Sequence, residues 1–323
     1  MTFRKLAYGA SAAAIMMSAS TAVFAQETTG AIRGQIADSV GMPISGATVT
    51  ITHVPSGTRS VVVTGTDGGF SARGLRVGGP YMVSAVASGE SAEAEVGSIG
   101  IGDATNVDLT LGASIVEDIV VTGSARNVVT TAIGPSATFS SETLETAPSI
   151  NRDIRDVISI DPRIHLDAGY QNGVQCGGAN PRFNSLTVDG VRMNDNFGLN
   201  DSGYPTERMP FSFDSIDQVA VELAPFDVQY GRFTACNINA VTKSGGNAFH
   251  GGLFYDFNNQ DLTGDSLEGS DVDLGEFEEK RYGVFVGGPI IKDRLFFFGS
   301  YEKLEGTNVF SRGPADSGAG TPV

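Results

Sequence analysis

Histidines and cysteines are the side chains of this sequence most able to do chemistry. His53, His165 and His250 stand far apart, and none lies in an HExxH motif, the spacing that holds zinc on one face of a helix. Cys176 and Cys236 form no CxxC pair. The sequence therefore predicts no metal site and no cofactor. Because it lies in a strand-like run beside Ile51, we interpret His53 as a partly buried structural histidine.

Nucleophile and phosphate-binding motifs are also missing from the sequence. The chain contains no GxSxG turn, which presents a catalytic serine, and no GxxxxGK[ST] loop, which cradles phosphates. Acidic residues are concentrated in 261–279, but their spacing is not that of an EF-hand loop. We interpret this run as a solvated loop, with a cation-binding loop as the alternative. No catalytic residue and no enzymatic activity are predicted.

The charge balance argues against nucleic acid as a partner. The 323 residues include 21 Lys and Arg against 37 Asp and Glu, a formal net charge of −16. A protein that grips phosphates needs a basic surface instead. The 42 glycines are about twice the usual share of ~7%. With abundant Val, Thr and Phe, this glycine content favours strands and turns, so the predicted fold is mainly β.

The first 25 residues have the features of an export signal. A positively charged start with Arg4 and Lys5 precedes an apolar stretch and a small-residue cleavage site. We predict that 1–25 is a secretory signal peptide; a short membrane anchor is the alternative. Because an exported chain enters an oxidising compartment, Cys176 and Cys236 become a candidate disulfide.

Residues 26–112 have the pattern of a small β-sandwich. Short runs of alternating apolar and polar residues are separated by Gly- and Pro-rich turns, with no helical period between them. The alternating apolar positions are Ile32, Gly34 and Ile36, then Ala47, Val49 and Ile51, then Tyr81, Val83 and Ala85, and finally Val107, Leu109 and Leu111. These residues are the expected core.

The same segment resembles the carboxypeptidase-regulatory-like module, a transthyretin-like domain. Its frame of G-x-V-x-D followed by P-x-x-G-A-x-V is matched at Asp38, Pro43 and Val49, and a later part of the frame at Asp67 and Phe70. Despite its name, the module implies an accessory domain without catalytic residues.

A short β-prone run lies in 113–128, between the sandwich and the next domain. Its residues are Glu117, Asp118, Ile119, Val120, Val121 and Thr122. An extended segment of this kind can add a strand to a partner through its backbone alone. The run resembles the TonB box of TonB-dependent outer-membrane receptors, and the resemblance implies a TonB-type energy-coupling protein as partner. An eighth sandwich strand is the alternative.

Residues 129–245 resemble the plug domain of these receptors, an α+β fold. We expect one short helix opening at Ser141 and a second over 152–160 with Asn151 as its N-cap. The motifs that carry the resemblance are Val188-Asp189-Gly190-Val191, 215–221, Tyr230-Gly231 and 237–245 with Thr242 and Lys243. The segment 224–228 replaces the usual R-G-P-x-S, a variant that resembles the Oar-like branch of the family.

The segment 246–323 has the pattern of the first strands of a transmembrane β-barrel. Apolar and polar residues alternate in 249–257, 281–287 and 295–302, runs close to the length of spanning strands. The connection 258–280 is long and acidic, whereas 288–294 is short. Long outer loops and short periplasmic turns are typical of outer-membrane barrels, so outer-membrane lipid is the expected surrounding.

Together these resemblances imply an outer-membrane receptor that binds an unknown external ligand and imports it with energy from the inner membrane. Its sandwich and plug would lie in the periplasm or in the barrel lumen. The stretch 287–298 also resembles an Oar-like signature. Because plugged receptors have about 22 strands, we expect the chain to be the N-terminal part of a receptor about three times longer. The alternatives are an adhesion or binding protein without transport, and an exported peptidase with an accessory domain.

Overall fold

The computed structural model describes residues 28–102, 104–112, 135–149, 151–167, 172–206, 208–223, 231, 233–264, 266–267, 270–271, 275–308, 311–312 and 321–322. In chain order these residues form a two-sheet sandwich, a mixed α+β domain and a three-stranded antiparallel sheet. The predicted export signal and the run 117–122 lie outside the described residues.

The N-terminal unit is a sandwich of two sheets. Its strands are β1 (Thr29–Ala37), β2 (Thr48–His53), β3 (Thr58–Val63), β4 (Gly69–Arg76), β5 (Tyr81–Ala87), β6 (Glu90–Val96), β7 (Ala104–Asn106) and β8 (Leu109–Thr110). In the first sheet, β1 pairs with β4 and also with β7 and β8, which run parallel to it. The second sheet has the antiparallel order β3-β2-β5-β6.

The sandwich core lies where the alternation of apolar residues predicts it. Ile32, Ile36 and Val83 have no exposed surface and pack in one cluster with the other alternating side chains. Gly34 on β1 meets the segment after β7 so closely that a Cβ atom would overlap the carbonyl oxygen of Val107. Glycine is therefore required here for the chain between β7 and β8 to lie against β1 within the first sheet.

The second unit contains two short helices and seven strands. They are β9 (Ser136–Phe139), α1 (Ser141–Thr146), α2 (Ile154–Ile158), β10 (Ile164–Asp167), β11 (Gly173–Cys176), β12 (Ser185–Val188), β13 (Val191–Arg192), β14 (Ile216–Leu223) and β15 (Cys236–Thr242). The main sheet has the order β13-β12-β15-β14-β9, while β10 and β11 form a separate hairpin. The helices, the hairpin and the sheet share one apolar core.

Helix α2 is shorter than the sequence predicts, and its cap is a different residue. The Asp153 carboxylate accepts a hydrogen bond from the Arg155 N–H at 2.9 Å and so caps the helix in place of Asn151. Arg152 is not helical, because its φ of 48° lies in the left-handed region. The expected apolar face of the helix is confirmed, since Ile154 and Val157 are buried.

The third unit is a sheet of long antiparallel strands. Its members are β16 (His250–Asn259), β19 (Phe277–Ile291) and β20 (Leu295–Asn308), in the order β16-β19-β20. Two small two-residue pairs, β17 (Ser266–Leu267) with β18 (Ser270–Asp271) and β21 (Ser311–Arg312) with β22 (Thr321–Pro322), complete the strands of the described residues.

Strand β19 continues through residues that the sequence assigns to a turn. We expected the strand to end at Gly287, but it runs to Ile291, with a register shift between Pro289 and Ile291. Beyond Gly287, β19 pairs with β20 alone. Proline occurs in strands mainly at edges and bulges, and the register shift between Pro289 and Ile291 is such a place.

The two faces of this sheet differ as the alternation predicts. Leu253 and Tyr255 on β16 are 84% and 61% exposed, and Val284 on β19 is also exposed. Arg281 and Gly283, which point the other way, are buried. The predicted fold class of sandwich, plug and partial barrel is confirmed. Among the described residues, no helix is long and apolar enough to cross a membrane.

A fragment without the long strands should behave differently from the whole chain. We expect residues 27–245 to be soluble, because both apolar cores of that part are enclosed. Residues 27–323 should aggregate without detergent, since the long strands add an exposed apolar face and open edges. Size-exclusion chromatography of both fragments measures this, and a monomeric, cooperatively melting 27–323 chain would contradict the barrel interpretation.

Candidate functional site

The predicted partner-binding run has no described geometry. Residues 117–122 fall in the gap between Gly112, after β8, and Pro135, before β9, and Tyr230 is also outside the described residues. The other predicted site residues are described, and the structure brings several of them together where the plug meets its neighbours.

Asp189 joins two of the plug motifs. It and Gly190 have φ values of 48° and 77° and form the two-residue turn between β12 and β13. The Asp189 carboxylate accepts hydrogen bonds from the Thr242 N–H at 2.9 Å and from the Thr242 hydroxyl at 2.7 Å. The Asp-Gly turn therefore fixes the end of β15, which lies within the motif 237–245.

Lys243, the residue after Thr242, contacts three parts of the structure. Its backbone N–H donates to the Ser215 carbonyl at 2.7 Å. Its ammonium group lies 2.9 Å from the Glu145 carboxylate of α1 and 5.5 Å from the ring centroid of Phe285 on β19. Lys243 thus links the plug sheet, a plug helix and the long-stranded sheet.

A disulfide joins Cys176 at the end of β11 to Cys236 at the start of β15, with 6.0 Å between the two Cα atoms. Both residues are buried. Asn184 supports the bridge, because its amide donates to the Val174 carbonyl at 2.6 Å and accepts from the Cys236 N–H at 3.4 Å. Our sequence reasoning did not identify Asn184, whose role depends on a contact 52 residues away.

The sandwich docks on one end of the plug through apolar and polar contacts. Val77 and Ile101 of the sandwich form a small cluster with Ala220 and Val241 of the plug. The Gln218 side chain donates to the Ile99 carbonyl at 3.0 Å and to the Ser98 hydroxyl at 3.3 Å, and the Arg76 guanidinium donates to the Gly245 carbonyl at 3.3 Å. This docking surface joins residues that no local sequence pattern connects.

A polar cleft of about 200 Å³ lies at this docking surface, lined in part by His53, Arg76, Asp217 and Lys243. Burial raises the pKa of Asp217 to about 6, although Lys243 and Arg76 oppose the shift. Burial and the nearby Arg76 lower the pKa of His53 to about 4. His53 is 6% exposed and its Nδ1 lies 2.7 Å from the Ser56 hydroxyl, so its predicted structural role is confirmed.

Asp217 should make docking depend on pH. Because its folded pKa is raised from 3.8, its contribution to stability is full below about pH 4 and is lost as the pH rises through 6. Asparagine at position 217 cannot ionise. The free energy of unfolding of Asp217→Asn, relative to the wild type, should therefore rise by up to about 3 kcal/mol between pH 4 and 7. Urea unfolding of residues 27–245 at several pH values measures this gain. Glu95→Gln, on the exposed side of edge strand β6, is the matched control, and a pH-independent difference for Asp217→Asn would contradict the prediction.

A larger cavity of about 640 Å³ lies between the plug and the long strands. Around it, the Ser212 hydroxyl donates to the Glu302 carboxylate at 3.1 Å, and the Arg208 guanidinium lies 3.4 Å from the Glu279 carboxylate. The buried Arg281 of β19 donates to the Asn151 carbonyl of the plug. Acidic side chains thus accompany these guanidinium groups around the cavity.

The remaining histidines stand apart from each other in the structure. His165 and His250 are exposed and lie on different units. In the described part of the chain, no cluster of three His, Cys, Asp or Glu side chains could hold a metal ion.

Three domain families match successive parts of the chain. The Carboxypeptidase regulatory-like domain matches residues 31–112, the TonB-dependent Receptor Plug Domain matches 129–236 and the Outer membrane beta barrel domain matches 241–312. The resemblances to the regulatory-like module and to the plug domain, and the barrel pattern that follows them, are thereby confirmed, and these domains place the chain in the outer membrane. The run 117–122 lies outside all three matches. The plug domain is, by its description, a domain of TonB-dependent receptors.

One curated relative matches the chain at moderate identity. The TonB-dependent transporter Oar of Myxococcus xanthus is 34% identical over 153 residues, which are 44% of this chain and 14% of that protein. The chain thus spans about a seventh of the length of this relative. The Oar-like resemblance stated from the sequence is confirmed by this match.

Two solved structures also align with the chain. The outer membrane transporter YddB from Escherichia coli aligns with a TM-score of 0.45 at 16% identity, covering 58% of this chain and 29% of that chain. The siderophore receptor PirA from Acinetobacter baumannii aligns with a TM-score of 0.41 at 24% identity, covering 53% of this chain and 24% of that chain.

Proposed function

We propose that this chain, which carries the regulatory-like, plug and barrel domains of a TonB-dependent receptor, serves to bind an external ligand and import it across the outer membrane. The observation that carries the proposal is the seating of the plug. It packs against the inner face of the β16-β19-β20 sheet, whose outer face is apolar and exposed. A plug held on the inner wall of a barrel blocks passage until it moves.

The sandwich belongs on the periplasmic side in this proposal. The Asn247 N–H donates to the Pro55 carbonyl of the sandwich at 2.7 Å. The Asn247 side chain exchanges two hydrogen bonds of 2.8 Å with Asp293, in the short turn between β19 and β20. Short turns of outer-membrane barrels face the periplasm, which supports a periplasmic sandwich docked below the plug.

Residues 117–122 are the proposed attachment point for an energy-coupling protein. They lie between the sandwich and the plug in sequence, so tension applied there enters the plug at Pro135 and β9. Strand β9 has only four residues and pairs with β14 at the edge of the sheet. An edge strand with one neighbour is the part of a sheet that detaches at least cost.

The plug motifs serve in this proposal to keep the plug closed when no tension acts. Asp189 and Gly190 fix Thr242, and Lys243 ties the same end of β15 to α1 and β19. Tyr230 and Gly231 complete the motif set, and we assign them to the same structural purpose. The transported ligand touches none of these residues in the proposal.

A binding experiment tests the proposed coupling. A peptide of residues 113–128 should bind the periplasmic domain of a TonB-type protein from the same cell, measured by fluorescence anisotropy. A scrambled peptide keeps the backbone and changes only the order of the side chains. Weaker binding by the scrambled peptide would therefore show that the alternate apolar side chains contribute in addition to backbone pairing. Absence of binding by the natural peptide at millimolar concentration would contradict the proposal.

A further inference from the structure

We infer that Arg152 latches the plug to the barrel wall by placing its guanidinium group on the ring of Phe254. The Cζ atom of Arg152 lies 3.7 Å from the centroid of the Phe254 ring on β16, and 5.5 Å from that of Phe213 in the plug. The Arg152 side chain is only 21% exposed. Because cation–π contacts strengthen when they are shielded from water, this position favours a strong contact.

The backbone of Arg152 is held in an unusual conformation. Its φ of 48° is uncommon for a residue with a long side chain, and such backbone persists only where the surroundings hold it. Here the Asp156 carboxylate accepts hydrogen bonds from the Ser149 hydroxyl at 2.9 Å and from the Asn151 N–H at 3.3 Å. The turn that carries Arg152 is therefore fixed before it meets the wall.

The wall is shaped to receive the guanidinium group. Gly283 is the cross-strand partner of Phe254, and a Cβ atom at Gly283 would lie 2.5 Å from the Phe254 ring. Only glycine lets the ring lie across β19 in this way. The ring face thus becomes available to Arg152.

Contacts of Asp214 and Arg281 surround the stacked guanidinium group of Arg152. The Asp214 carboxylate of the plug lies 2.5 Å from an Arg152 terminal nitrogen, which neutralises the charge at the wall. The Arg152 Nε is buried and has no hydrogen-bond partner among the described residues, as expected for a group that faces a ring. Beside it, Arg281 of the wall binds the Asn151 carbonyl. Residues 151 and 152 are therefore one compact attachment of the plug.

The position of the latch explains how it could govern opening. Arg152 and Arg281 line the cavity of about 640 Å³ between the plug and the wall. The plug is therefore attached to the wall directly beside an open cavity. Loss of the stacking contact would let this part of the plug separate from β16 and β19. The consequence for transport rests on the proposed function, whereas the latch itself can be measured without ligand or energy source.

Single-channel recording tests the latch in the full-length receptor. The receptor is placed in a planar lipid bilayer in potassium chloride, and the frequency of spontaneous ion-conducting openings is counted. Arg152→Gln and Phe254→Leu should each raise this frequency about tenfold, which corresponds to about 1.4 kcal/mol. The double variant should open no more often than the stronger single variant, because both changes remove the same contact.

Matched variants separate the latch from general damage. Arg182→Gln removes another plug guanidinium that pairs with an aspartate, Asp201, and should leave the openings unchanged. Phe254→Tyr keeps the ring and should behave as the wild type even if Phe254→Leu fails to fold. Additive effects, or an increase for Asp214→Asn together with none for Phe254→Leu, would overturn the inference. A working latch in a receptor that imports nothing would instead contradict the proposed function alone.

Discussion

A proline at position 120 is expected to abolish uptake by the full-length receptor while leaving expression and surface ligand binding intact. Val120 is central in the run 117–122, whose backbone would pair with the energy-coupling protein. Proline removes a backbone N–H and fixes φ, so it breaks a ladder at a position whose N–H is paired. Ligand binding should persist, since the ligand approaches from the opposite side of the membrane.

Val120→Ala is the matched control for this experiment. Alanine keeps the backbone N–H, and strand addition tolerates most side-chain changes, so uptake should fall only mildly. Uptake and cell-surface binding are measured separately with the same labelled ligand. Normal uptake by Val120→Pro would mean that 117–122 is a sandwich strand or that coupling occurs elsewhere. Loss of both uptake and binding would show that the run is structural.

Period-two alternation predicts the sandwich and the long strands because each strand there buries one face. Ile32 and Val83 are fully buried, and Leu253 is exposed on the outer face of β16, all in the predicted phase. The pattern is local, and the burial that it reports follows directly from strand geometry. The plug strands, in contrast, were found through motifs, because β14 and β15 are buried on both faces and scarcely alternate.

Two local features differ from the sequence prediction, namely the cap of α2 and the end of β19. Asn151 is a good N-cap by residue type, but Asp153 takes the cap while the preceding turn is bound to the wall. Gly287 and Pro289 favour a turn locally, yet pairing with β20 extends β19 past them. The strand thus shows tertiary pairing outweighing a local turn preference, whereas the cap shows one good local N-cap residue taking the place of another.

The docking surface was missed although a sign of it is present in the sequence. Asp217 and Gln218 are adjacent polar residues in a strand that is otherwise apolar, and Glu222 adds a third. Polar residues in a buried strand need partners, and Gln218 finds one in the Ile99 carbonyl of the sandwich. Their presence indicates an interface, but which surface supplies the partners depends on contacts more than 100 residues apart.

The disulfide is expected to be the largest single contribution to plug stability. It closes a loop of 60 residues, for which the chain-entropy model gives about 4 kcal/mol. Urea unfolding of residues 27–245 should therefore show a loss of about that size when Cys176 and Cys236 are both replaced by alanine. Reductant should destabilise the wild type similarly and leave the double variant unchanged, which separates the bridge from other effects of the reagent.

The same bridge should also limit how far the plug can be pulled apart. Tension that enters at Pro135 extends the chain as far as Cys176, and from there it passes through the bridge to β15, which has a neighbour on each side. Residues 177–235 are thereby bypassed, so the first stage releases roughly 14 nm of chain at ~3.4 Å per residue. Pulling on the plug in a single-molecule force experiment measures this length. Because the bridge holds both cysteines, thiol labelling of the unreduced, unfolded plug should find no free thiol. Two labels per chain would refute the bridge, and a first release well beyond 14 nm would refute its role as a stop.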